Sequence, residues 1–113
     1  MATLLCDGWW EQEEFGRQPM SDLVIDFSNG ALSGSGDDIV GRFVIDGRIE
    51  GDQILIHKQY LGKHSIQYHG TTDGEGVYFG DWSAGDYVGG KWSIRFRTLT
   101  QSGPLNIPQL GKP

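Results

Sequence analysis

Lys91-Trp92-Ser93-Ile94-Arg95-Phe96-Arg97 alternates polar with apolar at every step. A period of two is the pattern of a strand with one buried and one wet face, as antiparallel sheets require. The same alternation recurs upstream, with Leu23, Ile25 and Phe27 set against Asp22, Val24 and Asp26, and with Phe43 and Ile45 following Gly41. Further strands centre on Ile54-Ile56, Ile66-Tyr68 and Tyr78-Trp82. A first runs from Trp9 to Phe15 and a short third from Ala31 to Ser35, which makes eight.

Turn chemistry falls between these segments at intervals of roughly ten residues, the spacing of a sandwich or barrel. Asn29-Gly30 is the strongest signal, because a two-residue type I′ turn needs positive φ at both central positions. Asp46-Gly47, Gly51-Asp52 and Asp73-Gly74 are looser versions. No segment requires a helix, and every interval is too short for a crossover connection. The fold class expected is therefore all-β, an eight-stranded antiparallel up-and-down meander barrel. Closure removes the unpaired edges and leaves room inside for side chains or one small ligand.

The chain of 113 residues, with 18 Gly, four Trp, five Phe and four Tyr, suits one core of short strands and tight turns. The division expected is a lead at residues 1–7, one barrel domain at 8–98, and an extended or disordered tail at 99–113. The core expected is Leu23, Ile25, Phe27, Phe43, Ile45, Ile54, Ile56, Ile66, Trp92, Ile94 and Phe96, with Trp10 rather than Trp9 turned inward. A short echo of Asp38–Phe43 in Asp86–Trp92 reads as two strand entries with a Gly bulge.

Gly8-Trp9-Trp10 opening the first strand, followed by a Gly-punctuated meander, resembles the calycin barrels shared by lipocalins, avidins and fatty-acid-binding proteins. The resemblance spans residues 8–97 as a pattern and implies a ligand-holding barrel. No biotin-site constellation is present, so no ligand residue is carried over from it.

A net charge of −6, with no basic cluster, disfavours nucleic acid and anionic membranes. No run approaches the ~20 apolar residues of a membrane-spanning helix. A lone Cys6 and the absence of a leader-like start point to a cytoplasmic protein.

Catalytic signals are thin. Cys6 sits in a start that reads as loose, no Gly-x-Ser-x-Gly elbow exists, and Gly34-Ser35-Gly36-Asp37-Asp38 is acidic where a phosphate loop would carry Lys. His57 and His69 have outward parity, and the acidic loops lack calcium-loop spacing. No catalytic residue, metal or cofactor is expected.

Lys58 and Tyr60 are more informative, because they share the inward parity of Ile54 and Ile56. A Lys there must find a partner or bear a large desolvation cost; otherwise the strand ends or bulges before it. In a meander, loops 28–30, 46–52 and 71–76 gather at one end, with 16–21, 36–38, 61–64 and 83–89 at the other. The second end collects Arg17, Asp37, Asp38, Lys63, His64, Asp86 and Tyr87. The candidate ligand-binding set is Lys58, Tyr60, His64, Tyr68, Tyr78, Trp82, Trp92 and Asp38.

The leading functional expectation is a non-enzymatic module holding a small, partly apolar molecule at the barrel mouth. Two alternatives stand beside it. One is a self-associating module, a homo-oligomer built through outward Val24, Val44, Leu55 and Phe79. The other is a small barrel enzyme with Lys58 or His64 as base beside Tyr60.

Overall fold

A computed structural model describes residues 2–97. Eight strands follow in chain order: β1 (Ala2–Gln12), β2 (Gly16–Ser28), β3 (Ala31–Asp37), β4 (Arg42–Glu50), β5 (Gln53–Tyr60), β6 (Ser65–Thr72), β7 (Val77–Ala84) and β8 (Tyr87–Phe96). Each pairs antiparallel with its chain neighbour, and β1 pairs with β8 to close the barrel. No helix among the described residues is long and apolar enough to cross a membrane.

Alternation decides what goes inside. Along β5 the buried positions are Ile54, Ile56, Lys58 and Tyr60, with Leu55 and His57 facing out. Along β8 they are Trp92 and Ile94. Cys6, Trp10, Met20, Leu23, Ile25, Leu32, Phe43, Ile45, Ile66, Tyr68 and Trp82 complete the buried cluster. Asn29 (φ 53°) and Gly30 (φ 82°) form the expected left-handed turn between β2 and β3.

The start of the chain differs from the reading given by sequence. β1 begins at Ala2, not Trp9, and residues 2–6 pair with β2 from Ala2↔Phe27 to Cys6↔Leu23. The supposed lead is thus part of the barrel wall, and Cys6 is buried rather than loose. Burial, followed by the charge of Asp7, pushes its thiol up to about 12, which keeps it protonated at neutral pH. The first turn lies at 13–15, and residues 16–21, expected as a loop, belong to β2. Adjacent Leu4 and Leu5, with a register shift between Cys6 and Gly8, hide the period of two.

Phe27 and Phe96 are only partly buried. They pack edge to face with ring centres 4.9 Å apart. The tail at 99–113 lies outside the described residues.

Candidate functional site

The interior at the end of the barrel marked by the 38–41 and 61–64 loops is polar at its base and aromatic above. β5 carries its inward alternation one step past Ile56, which sets Lys58 wholly inside. The β3–β4 loop supplies the partner. Asp38 folds inward because the Val40 N–H donates to its Oδ1 (2.9 Å), while its own N–H donates to the Gly41 carbonyl (3.1 Å). The other oxygen, Oδ2, accepts from Lys58 Nζ (2.6 Å), Tyr60 Oη (2.7 Å) and Trp10 Nε1 (3.1 Å).

Lys58 is equally well held. Its ammonium donates to Tyr68 Oη (2.9 Å), lies 3.8 Å from Met20 Sδ, and stands 4.3 Å from the centre of the Phe43 ring and 4.7 Å from that of Tyr60. Aromatic faces and a soft sulfur take the place of water around the charge. The Lys58 and Asp38 side chains are 1 % and 0 % exposed.

Burial pulls the Lys58 ammonium down to about 8, against the opposing pull of Asp38. Burial pushes the Asp38 carboxyl up, yet the hydrogen bond and charge of Lys58, with Tyr60 and the Val40 N–H, hold it below its ordinary value. Burial, followed by the Asp38 carboxylate, raises the hydroxyls of Tyr60 and Tyr68. At neutral pH the cluster is one anion, one cation and two neutral phenols, with no net charge.

Above this floor opens a pocket of about 190 Å³. Trp10, Tyr60, Tyr68, Trp82 and Tyr87 form its aromatic wall, Val40, Ile66 and Ala84 its aliphatic part, and Gln12 and His64 its polar rim. Trp82 meets Trp10 edge to face at 6.1 Å, and its Nε1 donates to the Glu11 carbonyl (2.8 Å). Gly89 is what admits that indole: a Cβ there would lie 2.0 Å from the ring.

Of the residues expected at the site, Tyr60, His64, Tyr68 and Trp82 meet in this pocket. Lys58 and Asp38 sit beneath it as a sealed ion pair and do not line it. That geometry removes the support for Lys58 as an enzymatic base, since its protons are engaged and no opening reaches it. Trp92 lies deeper still, stacked on Tyr68 at 5.0 Å, with Nε1 shared between the carbonyls of His69 (3.2 Å) and Asp81 (3.0 Å). Tyr78 belongs to the opposite end, against Phe96 at 5.3 Å.

Both displacements have one cause. Inward parity says that a side chain faces the axis, and the strand register then sets its height along it. Gln12, Val40 and Ala84 went unread as lining residues for the same reason. Arg17 and Asp37 are engaged on the outer wall. Arg17 bonds Glu11 (2.9 Å) and covers Trp9, and Asp37 bonds Arg42 (3.1 Å). A wider depression of about 810 Å³ between Trp9 and Phe79 is a saddle in the outer sheet at Gly70 and Gly80. It is open surface.

Among the described residues no three His, Cys, Asp or Glu side chains come together as a metal site would need. The chain matches no protein-family profile, no curated protein and no solved structure.

Proposed function

We propose that this protein is a non-enzymatic binding module of the calycin type, holding one small, uncharged, partly apolar molecule in the barrel mouth. The observation that carries the reading is the aromatic-walled opening of about 190 Å³ over a floor whose charges are already matched. Its size argues for a single ring: a dry cavity of ~150 Å³ is enough for benzene, whereas drug-sized sites need ~300 Å³ or more.

The chemistry argues for neutrality. A charged ligand entering this mouth would lose its water and find no free counter-ion on the floor. Gln12 and His64 at the rim offer one or two hydrogen bonds to orient a hydroxyl, carbonyl or ring N–H.

Trp10 and Trp82 in the wall make the test direct. Titration with indole, p-cresol and cyclohexanol should change tryptophan emission saturably, with dissociation constants between about 10 µM and 1 mM for at least one of them. Ala84→Leu places a larger side chain in the opening and should abolish the response while the fold is kept. Affinity left intact in Ala84→Leu would exclude this pocket as the site.

A further inference from the structure

The two ends of the barrel differ in kind. At one end the turns are Asn29-Gly30, Gly51-Asp52 and Asp73–Gly76, all polar or glycine. At the mouth, each of the four connections sends a large apolar side chain into solvent. Phe15 does so from the β1–β2 turn, Ile39 from the β3–β4 loop, Leu61 from the β5–β6 loop, and Tyr87 and Val88 from the first two positions of β8, directly after the β7–β8 turn. These five are the most exposed large apolar residues among those described, from 52 % for Leu61 and Tyr87 to 70 % for Val88, and none packs into the pocket walls except Tyr87. On the outer wall Leu55 and Phe79 are less exposed, and their cross-strand partners are polar, Arg48 and His69 for Leu55 and Thr71 and Ser93 for Phe79.

Charge on the same rim is divided. Because the eight strands close in chain order, the four mouth connections stand a quarter-turn apart, and the β1–β2 turn lies opposite the β5–β6 loop. The first carries Glu13 and Glu14, the second Lys63. None of the three has an ion-pair partner among the described residues.

We infer that the mouth rim is a self-association surface on which a second copy of this chain docks, mouth to mouth, about a two-fold axis lying across the opening. With the axis running from the β3–β4 loop to the β7–β8 turn, each acidic β1–β2 turn faces the other copy's Lys63. Ile39 then meets Ile39 and Val88 meets Val88. A self-complementary patch is what a two-fold contact requires. A lipid bilayer fits the rim less well, since the net charge of −6 opposes anionic headgroups and a neutral surface would leave Lys63 and the two glutamates unmatched. The inference stands independently of whether the pocket holds a ligand.

Sedimentation equilibrium of the full chain at low salt tests it. A reversible monomer–dimer equilibrium is expected, with a dissociation constant on the order of 10–100 µM for so small a contact. Ile39→Ser with Val88→Ser should weaken it at least about 30-fold, whereas Phe79→Ser on the wall should leave it within about threefold. Lys63→Glu should weaken it about tenfold, and adding Glu13→Lys and Glu14→Lys to the same chain should restore it. Asp86, which would face its own copy near the axis, gives the opposite sign: Asp86→Asn should tighten the dimer. A strict monomer at about 500 µM, a dimer broken by Phe79→Ser, or no rescue by the charge exchange would overturn the proposal. All these side chains are outside the core, so unchanged near-ultraviolet dichroism confirms the fold, and ligand titration of the Ile39→Ser, Val88→Ser variant reads the pocket separately.

Discussion

Lys58 and Asp38 hold each other in place at a cost to the fold. Each has left water entirely, and breaking such a pair by removing one member strands the other, which typically costs about 3–5 kcal/mol. Asp38→Asn and Lys58→Met are each expected to lose an amount in that range in urea unfolding. The double variant should lose less than either single one, because an Asn Oδ1 can still accept from Trp10 and Tyr60 while Met lies against Met20 and Phe43. A double loss equal to the sum of the two would show that the residues act independently. Lys58 also illustrates what a residue-level reading can reach. Its parity with Ile54 and Ile56 put it inside, where an ammonium needs a partner; that the partner is Asp38 is shown by the structure. The Asx-type loop that turns Asp38 inward, and the three donors on one of its oxygens, depend on backbone geometry that no pattern of residue types contains.

At the scale of elements, β7 and β8 are shaped around one indole. Gly89 leaves room for the Trp82 ring, and the register shift between Trp82 and Ser83 turns the strand pair there. Gly89→Ala should therefore cost about 1–3 kcal/mol through overpacking. It should also change the emission of Trp82 and weaken ligand binding; a variant unaltered in both would mean the wall yields easily. β5, β6 and the second half of β8 were legible because each carries a clean period of two, whereas the turn expected at Asp46-Gly47 lies inside β4, opposite His57 and Ile56. β1 was half missed because Ala2-Thr3-Leu4-Leu5-Cys6 has no polar–apolar contrast, and only pairing on both sides, with β2 and with β8, fixes its inward face. Met20 and Leu32 were lost to the core list for a similar reason, since each sits where the alternation is short or broken by a bulge.

For the whole molecule, the buried groups predict how stability follows pH. Asp38, held below its ordinary 3.8, contributes stability that is present above that value and lost as pH falls through its folded one. Lys58 acts in the other direction. From about 8 to its ordinary 10.5 the folded chain releases a proton that the unfolded chain keeps, so stability rises with pH there. Cys6, ordinarily at 9.0, and Tyr60 and Tyr68, ordinarily at 10.0, are all raised, and each subtracts stability once the unfolded chain ionises. The urea midpoint should hold steady from about pH 5 to 8, rise toward pH 9 and fall beyond pH 10. In the Asp38→Asn, Lys58→Met variant the rise should vanish; its persistence would assign it to another group. The pairing of β1 with β8 has a temporal consequence as well. Seven hairpin contacts join neighbours in the chain, but the eighth joins β1 to β8. A nascent chain leaving the ribosome can zip its meander as it emerges, yet the sheet stays open along both outer strands until Phe96 has cleared the exit tunnel. Among the described strands the seam is thus the last pairing to become available in synthesis and the slowest loop to close on refolding.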